Sequence, residues 1–365
     1  MNDCTDDSSI FRIIVAETYQ ITIPKTIHQY HFIKEIGHGS TSVVFYAENI
    51  YNKALKYAVK IVPRKLLVDN DLLCRFEQEV RVQQSLNHPN IVSIHDIVFE
   101  LDLIYLIMDF CEHGDLYTYL VENGKIHEDC AKFIFYEIAK GIEYLHARNL
   151  SHRDLKPENI LLDSDMVPMI SDFGLCHVAH DNQRLTTPCG SPYYVSPEII
   201  MCIPYDGKLR DIWSLGVILF TINTNTLPWS EISYTKLFKQ IVNCDIQIPF
   251  SMSYELSDLI CHMMKNNPSE RPSIQEVMKH KWFSSITTRK KPSNENERYK
   301  ISSRNVTSSK IIVDSIRMPL SKPIILKPTH ISTPVLPKKH VDPFHVLVRR
   351  VPAMSGKKKY TSILG

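Results

Sequence analysis

From Tyr30 to Val62 the chain alternates between apolar and polar residues and is rich in Val, Ile, Phe and Tyr, with turn-forming residues at Gly37 to Ser40 and Asn49 to Lys53. A period of two broken by turns predicts an antiparallel meander of strands with one face toward a core. Leu72, Leu73, Phe76 and Val80 then recur at helical spacing behind Asp69 and Asn70, either of which has an N-cap side chain. That helix should stop before His88-Pro89-Asn90. Strands resume through the apolar runs Ile91 to Val98 and Ile104 to Met108. Residues 1–29 show no clear capping or turn signal and read as an N-terminal arm, in which Ile10 to Val15 has the composition of an edge strand.

Past Gly114-Asp115-Leu116 the period lengthens. Ala131, Ile134, Ile138, Ile142 and Leu145 fall on one face of a helix over residues 129–148. Residues 211–222 are apolar almost all round, so that helix should run through the middle of a domain. The pattern predicts an α+β molecule, a small strand-rich lobe over about 30–110 followed by a larger, mainly helical lobe over about 111–283. Beyond Phe283 the chain turns to Ser, Thr, Lys and Pro without a period, which places a domain boundary near residue 284.

Charge sharpens that boundary. The chain has a net charge of +2, yet residues 284–365 hold 17 Lys/Arg against 4 Asp/Glu, a local net of +13 on a body of −11. A basic tail on an acidic body is the asymmetry of an interaction tail or of a solvated flexible end. The 9 cysteines are scattered, with no Cys-x-x-Cys pair and no zinc-like spacing, as expected of reduced intracellular thiols. There is no signal-peptide start and no apolar run of the ~20 residues a membrane span needs, so the expected location is the cytosol or nucleus.

Gly37-His38-Gly39-Ser40-Thr41-Ser42 invites two readings, because such a loop can open a dinucleotide-binding helix or cover nucleotide phosphates from between two strands. Val43 to Ala47 continues as a strand, which removes the first. Glycine lets backbone N–H groups approach phosphate oxygens with no Cβ in the way. Tyr57-Ala58-Val59-Lys60-Ile61 puts one lysine on the inward face of an apolar strand, where a lone lysine is usually a strand-edge charge. Glu79 on the following helix gives it a partner, and the pair would hold the ammonium against α- and β-phosphates.

His152-Arg153-Asp154-Leu155-Lys156-Pro157-Glu158-Asn159 followed by Asp172-Phe173-Gly174 changes the odds, and here the chain resembles the eukaryotic protein kinases. The likeness runs from Tyr30 to Phe283 and includes Ser196-Pro197-Glu198, Asp211-Ile212-Trp213-Ser214-Leu215-Gly216 and Arg271, in the family's order. Cys189-Gly190-Ser191-Pro192-Tyr193-Tyr194, Leu227-Pro228-Trp229 and His280-Lys281-Trp282-Phe283 resemble the calmodulin-dependent and AMP-activated groups.

The resemblance implies a bilobal kinase fold that moves the γ-phosphate of ATP, with Mg²⁺, to serine or threonine hydroxyls. It assigns catalysis to Asp154, Lys156, Lys60 and Glu79, and Mg²⁺ to Asn159 and Asp172. It assigns the ATP pocket to Gly37, His38, Gly39, Ser42, Val44, Ala58, Lys60, Met108, Asp109, Cys111, Asp115 and Leu161. Thr187 aligns with the activation-loop phosphosite, on which Arg75, Arg153 and His177 should converge, and an upstream kinase is the implied activator. Asp115 and Glu158 border the expected peptide groove, and Thr221 stands where strongly arginine-directed kinases carry an acid, so protein substrates with one basic residue upstream are expected. Arg289-Lys290-Lys291-Pro292-Ser293 resembles such a substrate and makes the tail a candidate intramolecular partner. No nucleic-acid partner is expected. The alternative is a pseudokinase or scaffold that binds nucleotide and partners without transfer, which loss of Lys60, Asp154, Asn159 or Asp172 would favour; all four are present.

Three positions depart from the pattern. Ser42 stands where a third glycine is usual. Gln83 replaces an apolar residue one turn after Glu79 and must find a partner or incur a desolvation cost of about 1 to 3 kcal/mol. Arg210 occupies a commonly small, apolar spot before Asp211 and is expected to reach outward to water.

Overall fold

The computed structural model describes residues 10–15, 19–100, 102–178, 184–231 and 233–284, so the basic tail, Ser293 included, lies outside the described residues. Among the described residues, strands β1 (Ile10–Val15) and β2 (Tyr19–Pro24) come first and pair only with each other. Strands β3 (Thr26–Ile27), β4 (Tyr30–His38), β5 (Val43–Asn49) and β6 (Lys56–Pro63) follow, then helices α1 (Arg64–Asp69) and α2 (Leu73–Gln84), then β7 (Ile94–Glu100) and β8 (Leu103–Asp109). The sheet order is β3-β4-β5-β6-β8-β7, antiparallel throughout.

Ile10–Val15 therefore does not extend the sheet edge. Its hairpin lies across one face of the sheet, where Ile13, Val15, Ile21 and Ile23 join Phe32, Phe45, Val59 and Tyr105 in one buried cluster, and the Phe11 and Phe45 rings meet at 5.0 Å. The other face carries Val62, Ile104 and Leu106 against Leu67 of α1 and Phe76 and Val80 of α2. The alternation along β6 and β8 thus serves two cores, while β5 turns its buried residues to the hairpin side.

The expected cap at Asp69 or Asn70 is corrected. Those residues end α1 rather than begin the next helix: Asn70 Nδ2 donates back to Leu66 O at 2.8 Å, and α2 starts behind Leu72 with no side-chain cap.

The large lobe holds α3 (Leu116–Asn123), α4 (Glu128–Ala147), the short strands β9 (Leu150–Ser151), β10 (Ile160–Leu162), β11 (Pro168–Ile170) and β12 (His177–Val178), and helices α5 (Pro197–Ile200), α6 (Gly207–Thr224), α7 (Tyr234–Asn243), α8 (Tyr254–Met263) and α9 (Ile274–Met278). Helix α6 is buried along most of its length, as its sequence requires, and α4 and α8 pack on it. The paired strands β10-β11 and β9-β12 form the floor beneath the sheet lobe. No described helix is long and apolar enough to cross a membrane.

Candidate active site

Lys60 projects from β6 opposite Val44 of β5 and Leu106 of β8, and its Nζ meets Glu79 Oε1 of α2 at 2.7 Å. Both side chains keep some exposure, 25% and 14%, so the pair faces a cleft rather than a core. Gln83, one turn on, is buried and donates Nε2 to the Val92 carbonyl at 2.9 Å. The amide has found its partner, which removes the desolvation cost anticipated above. Val92 N donates in turn to Ile170 O at 2.9 Å, so α2 is tied by hydrogen bonds to the strand that precedes Ser171-Asp172.

The glycine-rich turn joins β4 to β5, with Gly37 opposite Val44, His38 opposite Val43, and Gly39 N donating to Ser42 O at 2.7 Å. A Cβ at Gly37 would meet nothing closer than 3.5 Å, ordinary contact, so the protein's own packing does not demand glycine there. A glycine that packing does not require leaves its backbone open to close approach by a ligand's phosphates. His38 turns to Glu35 at 3.1 Å, and Ser42 is buried.

Ala58 faces Met108 across β6 and β8, and Met108 packs with Val92, Cys111, Leu161 and Met169, an apolar wall for a flat ring. Met169, paired with Leu161 in β10-β11, is a wall residue that sequence reasoning missed. The Asp109 side chain points away, accepting from Ser93 N at 2.8 Å and meeting His95 at 2.7 Å, so only its backbone is left for an adenine edge. Asp115 caps α3 through Thr118 N and Oγ1 at 2.8 and 2.9 Å, which fixes its carboxylate at the cleft rim.

On the floor, Asp154 accepts from Ser191 N and Ser191 Oγ, both at 3.0 Å to Oδ1. Lys156 Nζ lies 3.4 Å from Asp154 Oδ2 and donates to Ser191 Oγ at 3.0 Å. Ser191 is the second missed residue; its only signal was its place after Cys189-Gly190. Asn159 donates Nδ2 to Asp154 O at 2.8 Å, which leaves its Oδ1 as an acceptor. Asp172 sits at φ +62, a left-handed conformation, with Gly174 N on its Oδ1 at 3.3 Å. Desolvation of the Asp172 carboxyl opposes ionisation, but Lys60, His152, Gly174 N–H and Lys156 outweigh it and hold the pKa below the ordinary value. At Glu158 the balance goes the other way: desolvation, with the Asp115 and Asp154 charges adding, raises the pKa although Lys156 opposes.

Beneath the site, Asp211 of α6 accepts from His152 N at 2.8 Å and Arg153 N at 2.9 Å and pairs with His146 at 3.1 Å. Burial raises the Asp211 pKa, but the bond and charge of His146, then Arg210 and His152, lower it overall. Arg153 reaches Leu175 O at 2.7 Å and Tyr205 Oη at 3.4 Å, and Tyr205 Oη donates to Thr187 O at 3.0 Å. Arg153 is thus linked to the Thr187 backbone through Tyr205, His177 lies beside Ser151 in β12-β9, and Arg75 stands exposed on α2. Thr187 itself is exposed. Arg210 does not reach water as expected; it is 1% exposed, because α6 is enclosed on every side and its guanidinium folds under Gly190.

The arrangement brings the Lys60 and Lys156 ammonium groups, the Asp154 and Asp172 carboxylates and the Asn159 amide oxygen to one cleft beneath a glycine turn. It can bind a polyphosphate and a hard cation above a carboxylate placed to accept a proton.

Comparison with known proteins agrees. The family model described as "Protein kinase domain" matches residues 30–283. The chain is 36% identical over 259 residues to the rice serine/threonine protein kinase OSK3, covering 71% of this chain and 51% of that protein. It is 38% identical over 254 residues to the SNF1-related protein kinase catalytic subunit alpha KIN12 of Arabidopsis thaliana, covering 70% and 51%. It is 37% identical over 257 residues to the carbon catabolite-derepressing protein kinase of Candida tropicalis, covering 70% and 41%. The chain spans about half the length of the curated relatives it matches.

Proposed function

The chain belongs to the protein kinase domain family, and from that premise we propose that it is a serine/threonine protein kinase that transfers the γ-phosphate of ATP to protein hydroxyls. The observation that carries the proposal is the convergence of Asp154, Lys156 and Ser191, all within 3.4 Å of one another, facing the Lys60–Glu79 pair and Asp172.

In the transfer the substrate oxygen bonds to the γ-phosphorus while the bond to the β,γ-bridging oxygen breaks and ADP leaves. Asp154 Oδ2 orients the incoming hydroxyl and accepts its proton, because Oδ1 is held by two Ser191 bonds at 3.0 Å whereas Oδ2 has the longer contacts of Asn159 Nδ2 and Lys156 Nζ, both at 3.4 Å. Lys156 offsets charge on the transferring group, and Lys60, steadied by Glu79, holds the α- and β-phosphates. Asn159 Oδ1 and the ionised Asp172 fit a hard, oxygen-seeking cation, and we assign them Mg²⁺. When bound, the metal neutralises phosphate charge. A Lys at position 156 favours serine and threonine over tyrosine, by the resemblance drawn from the sequence.

Three finer assignments belong to the same proposal. Thr187 is the activating phosphosite, supported by its exposure and by the Arg153–Tyr205 link to its backbone. Substrates carry a basic residue upstream of the phosphoacceptor, supported by Asp115 and Glu158 at the rim. The basic tail restrains the kinase as a tethered, weak occupant of that groove.

The test is phosphate incorporation into a serine peptide with an upstream arginine, by the full chain with Mg-ATP, beside Asp172→Ala. Transfer by the wild type and its loss in the variant is expected; equal rates in both would refute the assignment.

A further inference from the structure

Arg210 and Asp211 are adjacent on α6, opposite in charge, and hold different segments. Asp211 takes the backbone N–H groups of His152 and Arg153 in the catalytic loop. Arg210 Nη2 donates to the Cys189 carbonyl at 3.1 Å, and two residues on Ser191 closes on Asp154 through both N–H and Oγ. Gly190 lies between, at φ +107; a Cβ there would collide with Arg210 Nη2 and sit 3.1 Å from the Arg153 carbonyl. The guanidinium occupies the space that a side chain at 190 would need.

Folding alone does not account for such a residue. Arg210 Nε and Nη1 have no hydrogen-bond partner among the described residues, and Nη1 is 3.7 Å from Asp211 Oδ1, beyond hydrogen-bond range. One hydrogen bond and a shared counter-charge do not return what removing a guanidinium from water costs, and an apolar side chain of similar length is often neutral or better at such a site.

We propose that Arg210 is a positioning residue for phosphotransfer: by gripping the Cys189 carbonyl it keeps Ser191 on Asp154 and so sets the register in which a protein substrate meets the catalytic carboxylate. Asp211 fixes the catalytic loop and Arg210 fixes the segment that covers it, from one rigid helix. The kinetic consequence rests on the phosphotransfer reading; the grip itself does not.

The experiment compares the full chain with Arg210→Met and Arg210→Lys by melting temperature, amide exchange over residues 189–191, and separate KM values for peptide and ATP. For Arg210→Met the expected result is an unchanged or higher melting temperature, faster exchange at 189–191, a peptide KM raised roughly tenfold for the lost charge-assisted bond, and an unchanged ATP KM. Arg210→Lys keeps a donor and should recover part of both the exchange protection and the KM. Unchanged exchange, an unchanged peptide KM, or a chain that no longer folds with methionine would each overturn the proposal. Should the wild type transfer no phosphate, that result counts against the phosphotransfer reading, and the exchange comparison still decides whether Arg210 holds the segment.

Discussion

The two lobes are held together by different physics. The small lobe is an apolar sandwich, with a hairpin on one face of its sheet and helices on the other, and its Lys60–Glu79 ion pair remains partly open to solvent. The large lobe buries its charges outright: Arg271 forks onto Glu198 at 2.8 and 2.7 Å and lies over Trp213, while Asp211 joins two histidines' segments at full burial. Burying a charge is costly unless every donor is matched, and Arg271 matches its own through Lys265, Asn266 and Leu209 carbonyls.

Removing half of the large lobe's fork should have the greatest effect on stability. Glu198→Ala leaves Arg271 buried and unpaired, and thermal unfolding should report a loss of about 3 to 5 kcal/mol. Burial raises the Glu198 pKa, but the Arg271 bond and charge bring it below its ordinary value. Its contribution is therefore complete above the unfolded value of 4.5 and is lost as pH falls through the lower, folded one.

In the small lobe the corresponding probe is apolar. Ile23→Ala opens a cavity under the hairpin and should cost roughly 2 to 5 kcal/mol, with a melting transition that separates from the large lobe's. A single unshifted transition would mean that the lobes do not differ in this way.

Lys60→Met should reverse the pattern, changing stability by less than about 1 kcal/mol because the pair is partly exposed. Transfer should nonetheless fall by roughly two orders of magnitude or more, since a preorganised charge at the phosphates is lost. A large loss of stability with activity retained would contradict the division of labour.

The smallest expected effect is on pH dependence. Because the Glu158 pKa is raised, its carboxylate loses charge at a higher pH than an ordinary glutamate as the solution is acidified. KM for a basic peptide should rise as pH falls through that raised value, and Glu158→Gln should flatten the profile; identical profiles would remove Glu158 from substrate recognition.

Much of this was legible in the sequence because the site is built from contiguous motifs. His152 to Asn159 and Asp172 to Gly174 carry their chemistry on short loops whose order fixes their neighbours. What was hidden depends on contacts between distant segments. The period-two pattern of Ile13, Val15, Ile21 and Ile23 was present, but residues 16–18, Ala-Glu-Thr, carry no turn signal, so the hairpin read as an arm. Asn70 has the chemistry of an N-cap and uses it at the other end of a helix, bonding back to Leu66. Arg210 read as a surface arginine because a single side chain does not reveal that Gly190, distant in sequence, leaves room beneath it. Gln83 read as a liability because its partner, the Val92 carbonyl, belongs to another element.

On the proposed function, Asp154 receives the proton while the rest of the cleft binds and aligns. The most direct measurement is phosphate transfer to a serine peptide by the full chain and by Asp154→Ala, with ATP affinity determined on the same preparations. We expect transfer to fall about a hundredfold to ten-thousandfold while ATP affinity is retained. Wild-type-like transfer by Asp154→Ala would contradict the account.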